Sequence, residues 1–172
     1  ISPWFQNLNI ARVILNDGVS SIGTSAFRGC YKITSVSLSN SLTSIGYDAF
    51  DGCSDITNIT LPQNLSKIGG YAFASVNFTS IEIPDSVTSI EQYTFANCKK
   101  LEQITLSSNT LSIGEGAFNS CSSLTAIELP ESVTNIDRFA FWNCSSLDNV
   151  TLPSEVTTIN ENSFLNCTSL ST

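Results

Sequence analysis

The chain has 172 residues and a formal net charge of −8, from 7 basic and 15 acidic residues, and it contains no histidine. The missing histidine removes the usual general base and the usual zinc ligand, and the scattered basic residues provide no stripe that could bind nucleic acid. Hydrophobic residues make up 41% of the sequence, which is enough for a continuous core, but no apolar run reaches the 18 residues that a membrane span needs.

An internal repeat of 22 or 23 residues runs from residue 16 to residue 172, after a degenerate first coil at residues 1–15. Trp4 takes the register of a repeated phenylalanine there and is expected to help cap the core. One unit cannot bury its apolar positions alone, so residues 1–172 are predicted to form a single solenoid domain of about seven coils. The chain opens and closes inside a repeat. We therefore expect an array truncated at its C-terminus, from a longer protein whose targeting and anchoring segments lie elsewhere.

The first predicted element of each coil is a short strand, as in TSVSL at 34–38 and TNITL at 57–61. Alternating apolar and polar residues with many β-branched types favour strands, which successive coils would pair in parallel at about 4.8 Å per step. In several coils a proline follows and ends the pairing, because it has no N–H. The side chains that flank the apolar column should point out of the sheet. They include the candidate binding residues Glu82, Gln103 and Glu128.

The second predicted element is a V-T-S-I-G segment, which favours another short strand or bridge in each coil. Its closing glycine is expected to adopt a positive φ in a turn. This column contains Gly23, Gly46, Gly69 and Gly114. The A-F-x-x-C stretch that follows is too short for a full α-helix, so a single 3₁₀ or α turn is predicted.

Two apolar columns run through this turn. The phenylalanine column consists of Phe27, Phe50, Phe73, Phe95, Phe118, Phe141 and Phe164. The cysteine column contains all six cysteines, Cys30, Cys53, Cys98, Cys121, Cys144 and Cys167. Both columns are predicted to form structural ladders in the core.

Three interpretations of the cysteine column compete. Catalysis needs an activated thiolate, and zinc prefers clustered cysteines, whereas here the thiols occur once per coil. Disulfides between coils are conceivable because stacked Cα atoms lie near 5 Å, but neighbouring Cβ atoms would not face each other. A reduced, buried ladder is favoured, since Val76 takes the cysteine position in one coil and preserves packing alone. Replacing a cysteine by serine is expected to cost about 1–3 kcal/mol from a buried unpaired hydroxyl.

Large aromatic residues lie beside this turn in several coils. They are Tyr47, Tyr71, Tyr93, Phe139 and Trp142. Phe139 and Trp142 are three residues apart, which places them on one side of a helical turn. An exposed aromatic ridge would suit partner recognition, but the rings could equally shield the loops between coils.

Three aspartates, Asp48, Asp51 and Asp55, lie on one coil. Their spacing matches no calcium-binding loop, so a solvated acidic patch is expected. The sequence also contains no nucleophile elbow and no phosphate-binding glycine loop, and no enzymatic activity, cofactor or metal is predicted.

The repeat resembles the leucine-rich repeat class, and more narrowly the BspA-like family of cell-surface leucine-rich repeat proteins. The clearest match is IGEGAFNSCSSLTAIELP at 113–130, and the SPW opening followed by DGVSSIG at 17–23 resembles the segment that precedes such arrays. Proline and cysteine replace the usual asparagine ladder. The resemblance implies a right-handed curved solenoid displayed on cell surfaces, and it identifies no ligand.

The favoured function is an extracellular or cell-surface recognition and adhesion module that binds host or matrix proteins through the solenoid surface. A structural spacer that projects another domain is the first alternative. A glycan-binding module, with Trp142 and Tyr93 as a stacking platform, is the second. No nucleic-acid binding and no membrane insertion are expected.

Overall fold

The computed structural model describes residues 9–171, so the predicted role of Trp4 lies outside the described residues. Twelve short strands are present in the described part, and it contains no helix. The strands are β1 (Arg12–Ile14), β2 (Ser21–Ile22), β3 (Ser35–Ser37), β4 (Ser44–Ile45), β5 (Lys67–Ile68), β6 (Ser80–Glu82), β7 (Ser89–Ile90), β8 (Gln103–Thr105), β9 (Ser112–Ile113), β10 (Ala126–Glu128), β11 (Asn135–Ile136) and β12 (Asn149–Thr151).

All the strand pairs are parallel, and they form two kinds of sheet along the array. The three-residue strands pair as β1–β3, β6–β8 and β10–β12, and the two-residue strands form the sheets β2–β4–β5 and β7–β9–β11. Equivalent repeat positions stand opposite each other, as in the pair Ile81 and Ile104. The molecule is a parallel β-solenoid of about six turns, which confirms the predicted leucine-rich repeat solenoid.

The stretch 57–61 differs from its prediction, because it is not a regularly paired strand. Its alternation of burial is nevertheless kept: Asn58 and Thr60 are exposed, while Ile59 and Leu61 are buried. Side-chain burial therefore continues where backbone pairing is interrupted.

The core is one continuous cluster that runs along the described coils, and the phenylalanine column forms its centre. Neighbouring rings from Phe27 to Phe164 stack almost parallel, with centroids 5.2 to 5.9 Å apart. Phe78 packs edge-on against both Phe73 and Phe95, at 6.0 and 6.1 Å. Stacked and edge-on contacts between aromatic rings add to the free energy gained by burying the rings.

The segment around each core phenylalanine is a series of turns instead of one continuous helical turn. In the coil of Phe73, the amide of Ala74 donates to the carbonyl of Tyr71 at 3.0 Å, and the amide of Val76 donates to that of Phe73 at 3.3 Å. These bonds span three residues, as in a 3₁₀ turn. Tyr71 and Ser75, however, have φ values of 56° and 60°, and such left-handed residues prevent a helix from propagating.

The prediction for the closing glycines was wrong. Gly23, Gly46, Gly69 and Gly114 are not among the residues with positive φ. A Cβ on Gly46 would instead lie 2.7 Å from the backbone carbon of Gly23, and one on Gly69 would lie 2.6 Å from the nitrogen of Tyr47. Glycine is needed at Gly46, Gly69 and Gly114 because the backbones of stacked coils approach closely there, whereas a Cβ on Gly23 would meet no atom within 4 Å.

Candidate functional site

Two surfaces carry the predicted binding residues, and the first is the sheet face. Glu82, Gln103 and Glu128 are all exposed on β6, β8 and β10. A shallow cleft of about 440 Å³ contains Glu82 and Gln103, and a second of about 600 Å³ contains Gln103 and Glu128. The structure therefore places the three residues along one continuous face, with Gln103 shared by both clefts.

The predicted aromatic ridge is divided into two groups. Tyr71 lies between Tyr47 and Tyr93, with ring centroids 5.5 and 4.8 Å apart, and the ring of Tyr71 stacks on that of Tyr93. Phe139 and Trp142 form a separate tilted pair at 5.6 Å. The five rings are therefore not one recognition strip.

Trp142 is less available than expected. Its side chain is half-buried, and its indole Nε1 is buried without a hydrogen-bond partner among the described residues. The ring therefore contributes largely to packing beside Phe139. The exposed area of the Trp142 ring on which a sugar could stack is therefore smaller than predicted.

Tyr93 is linked to the next coil through Glu115, which is itself bonded to Arg138 in the coil after that. Its hydroxyl donates to Oε1 of Glu115 at 2.9 Å, and Arg138 donates to Oε2 of Glu115 at 3.0 Å. Burial, together with the bond to Glu115, raises the pKa of Tyr93 to about 12. The bond from Arg138 lowers the pKa of Glu115. A Cβ on Gly116 would overlap the Tyr93 ring, so glycine provides the space in which that ring lies.

A groove beside the three tyrosines was not predicted. It has a volume of about 650 Å³, and we call it the tyrosine groove. Its lining includes Tyr47, Tyr71 and Tyr93, the floor residues Ala74 and Ala96, the cluster of Arg28, Asp48 and Asp51, and the side of Ser75, Asn97 and Asn119. The groove lining therefore combines three tyrosine rings and two small alanines with charged, amide and hydroxyl side chains.

The repeat itself explains the depression. In successive coils the residue after the core phenylalanine is Arg28, Asp51, Ala74, Ala96, Asn119, Trp142 and Leu165. The two alanines are 3% and 2% exposed, and larger side chains stand on either side of them in this row. This size pattern is visible in the sequence, but it has meaning only when the coils are stacked.

One end of the tyrosine groove is acidic. Arg28 contacts Oδ2 of Asp48 and Oδ2 of Asp51, each at 3.0 Å. Burial raises the pKa of both carboxyl groups, and the guanidinium of Arg28 opposes that rise. Asp48 is only 7% exposed, so the expectation of a solvated patch was wrong for this residue. Asp55 does not line the groove.

All six cysteines are buried, and none of them forms a disulfide within the described part of the chain. The Sγ of Cys98 donates to the carbonyl of Phe73 in the preceding coil at 3.1 Å. Cys53, Cys121, Cys144 and Cys167 make the equivalent bond. Burial raises the pKa of Cys53 and of Cys98 to about 12, which disfavours the reactive thiolate. A serine hydroxyl would face this same carbonyl, so the predicted penalty for an unpaired hydroxyl does not apply in full.

The described residues contain no cluster of three or more histidine, cysteine or acidic residues that could hold a metal ion. The same residues include no helix long and apolar enough to cross a membrane.

Comparison with solved structures supports the fold. A leucine-rich repeat protein from T. pallidum is 34% identical over 94% of this chain and 78% of its own, with a TM-score of 0.87. A leucine-rich repeat protein from Bacteroides ovatus is 31% identical, with a TM-score of 0.85; the match covers 88% of this chain and only 39% of that protein. A leucine rich cell surface protein from Faecalibacterium prausnitzii is 26% identical over 98% of this chain and 60% of its own, with a TM-score of 0.52.

Among curated proteins, none matches this chain. The family model described as a BspA type leucine rich repeat region, with six copies, matches residues 2–78 and 66–172. Nearly the whole sequence is therefore covered by one repeat family, and the leucine-rich repeat fold is in general a non-enzymatic scaffold. The chain belongs to the BspA type leucine-rich repeat family.

Proposed function

We propose that this protein is an extracellular or cell-surface recognition module that binds host or matrix proteins through its solenoid surface. Leucine-rich repeat proteins generally mediate protein interactions, and a similar protein from Faecalibacterium prausnitzii is named a cell surface protein. Solenoids bind partners through extended surfaces, because stacked repeats present equivalent positions side by side.

The sheet face around Glu82, Gln103 and Glu128 carries this proposal. The three residues are exposed on strands of adjacent coils, and the two shallow clefts meet at Gln103. Open clefts lined by both polar and apolar side chains suit a broad protein contact better than an enclosed small-molecule site.

The test is binding of the immobilised protein to a panel of matrix proteins and a glycan panel, measured by surface plasmon resonance. Replacing Glu82, Gln103 and Glu128 together by lysine should weaken binding of a protein ligand at least about tenfold, through lost contacts and reversed charge. A control variant with lysine at Glu91, Gln92 and Glu161 changes the net charge equally at other exposed positions. It should bind like the unmodified protein.

The outcomes separate the competing functions. Binding to neither panel would contradict recognition and favour a structural spacer. Binding to the glycan panel alone would contradict the proposed class of ligand. Equal losses in both lysine variants would show general charge attraction and remove the sheet face from the proposal.

A further inference from the structure

The tyrosine groove is a surface feature to which the proposed function assigns no role. We propose that it binds an arginine or lysine side chain from an extended, basic segment of a protein ligand. This inference rests on the proposed function, since it specifies the chemistry of that ligand, and it concerns a different surface from the sheet face.

The shape of the groove fits a long, amphipathic side chain. Ala74 and Ala96, whose side chains are too small to fill the groove, line its floor together with the stacked rings of Tyr71 and Tyr93, which supply its main apolar surface. Lysine and arginine side chains bury their aliphatic stems on such surfaces while the charged group stays at a polar end. The polar end here is the carboxylate of Asp51, which is next to Ala74 in the row of residues that follow the core phenylalanines.

The charge of the groove also favours a cation. Two carboxylates, Asp48 and Asp51, face one guanidinium, that of Arg28, so −2 and +1 leave a net charge of −1 at this end. The whole chain carries a net charge of −8, which attracts basic partners over longer distances. An anionic ligand would be repelled both by the whole chain at long distance and by the acidic end of the groove on contact.

The protein already contains the contact that we propose for its ligand. Arg28 reaches from one coil to Asp51 in the next and donates to Oδ2 at 3.0 Å. The other carboxylate oxygen of Asp51 has no hydrogen-bond partner among the described residues, and Ala74, the next residue in the row, has a side chain too short to reach it. A guanidinium or ammonium group that lies over Ala74 would therefore reach this carboxylate as Arg28 does, from the other direction.

The geometry of the Tyr71 and Tyr93 rings argues against a sugar stacked on them in this groove. The faces of Tyr71 and Tyr93 are stacked on each other, and Tyr93 also lies over Gly116. A sugar that stacks needs an open aromatic face, whereas these rings present mainly their edges. The groove runs from the coil of Arg28 to that of Asn119. Four steps of about 4.8 Å span roughly 19 Å, enough for about six residues of extended peptide.

The experiment is a titration of ¹⁵N-labelled protein followed by NMR. The probes are the peptide Gly-Arg-Gly-Arg-Gly-Arg, its lysine analogue, and a twin in which citrulline, the uncharged isostere of arginine, replaces each arginine. We expect saturable shifts of the Ala74 and Ala96 amides with the two basic peptides and an affinity about tenfold lower for the citrulline twin. The Ala126 amide, on the sheet face, should not shift.

Variants make the test specific for the groove. Ala74→Trp should abolish the shifts at Ala96 by filling the floor, and the fold should accept it because Trp142 occupies the equivalent position of another coil. Ala126→Trp is the matched control and should bind normally. Asp51→Asn should weaken binding roughly threefold to tenfold, and Arg28→Gln should tighten it, because the groove charge changes to 0 and to −2 respectively.

Several results would overturn the proposal. They are an absence of shifts, equal affinity for the citrulline twin, a folded Ala74→Trp variant that still binds, or changes of the same sign for Asp51→Asn and Arg28→Gln. If Ala74→Trp does not fold, the changes in affinity of Asp51→Asn and Arg28→Gln still test the proposal, because it requires them to have opposite signs. Should protein ligands bind the sheet face while the basic peptides bind nowhere, this inference fails and the proposed function stands.

Discussion

At the scale of single residues, a comparison of coils at the cysteine position distinguishes the contribution of packing from that of hydrogen bonding. Cys98 donates from Sγ to a backbone carbonyl, whereas Val76 occupies the same repeat position without a donor. Both side chains are completely buried. Apolar volume is therefore the requirement common to all coils, and the thiol bond is an addition to it.

Burial of the thiols predicts a loss of stability at alkaline pH. The pKa of Cys98 is raised to about 12 in the folded protein from an ordinary value of 9.0. Above pH 9 the unfolded chain loses this proton first, so the free energy of unfolding should fall as the pH rises from 9 towards 12. Each such thiol contributes about 1.4 kcal/mol per pH unit in that window.

Urea unfolding under reducing conditions at pH 8, 9 and 10 measures this slope. Cys98→Val supplies the matched control, because valine already stands in this column at Val76. The variant should have a shallower slope than the unmodified protein, while other titrating groups affect both proteins alike. Identical slopes would contradict the assignment of the effect to this thiol.

At the scale of the structural element, glycine has two different structural roles in the turns. Gly46 and Gly69 allow neighbouring backbones to approach, whereas Gly116, with a φ of 57°, makes room for the ring of Tyr93. Gly52 also has a positive φ, of 74°, but a Cβ there would meet only Gly29, at an ordinary distance of 3.6 Å. Gly52 and Gly116 therefore both need glycine for their positive φ, but only at Gly116 would an added Cβ also collide with a neighbouring side chain.

This difference predicts unequal effects of alanine. Gly52→Ala should lower the free energy of unfolding by about 1 kcal/mol through backbone strain alone. Gly116→Ala should cost about 1–2 kcal/mol more, because Tyr93 must also move and lose its bond to Glu115. The comparison is made by urea unfolding of each variant.

A double-mutant cycle identifies the cause of the larger effect. If displacement of Tyr93 is responsible, Gly116→Ala should cost less in a Tyr93→Ala background than in the unmodified protein. Costs that simply add would show that the ring and the glycine are independent, which would contradict the assigned role of Gly116.

At the scale of the whole molecule, each coil is stabilised by its neighbours. Phe95 stacks on Phe73 and Phe118 and is fully buried, whereas Phe164 stacks on Phe141 and is partly exposed. The stability of such an array is approximately a sum of coil terms and interfaces between neighbours. The position of a substitution along the array should therefore decide its cost.

Phe95→Ala is expected to lower the free energy of unfolding by about 3–5 kcal/mol, since it leaves a cavity between two interfaces. Phe164→Ala is the matched comparison and should cost clearly less, because the side chain is less buried. Urea unfolding monitored by circular dichroism measures both. Equal costs would indicate that stability is not carried by local stacking between coils.

The binding surfaces were only partly predictable from the sequence. Alternation along the strands correctly placed Glu82, Gln103 and Glu128 on an exposed face, because side chains alternate in a strand. The aromatic pattern indicated a single ridge, but the rings divide into two groups, since Glu115, Gly116 and Arg138 lie between them. Whether these surfaces bind a partner remains a prediction.

The period of the sequence by itself determined the solenoid, its parallel strands and its apolar columns, because a repeat that cannot bury its own core must stack on its neighbour. The packing of successive coils decided the close backbone contacts and the shape of the surface. Gly69 is required by the approach of the Tyr47 backbone, and the tyrosine groove exists because Ala74 and Ala96 become neighbours. These contacts join residues about one coil apart, so their distances and charges follow from the three-dimensional register and cannot be read from any single repeat.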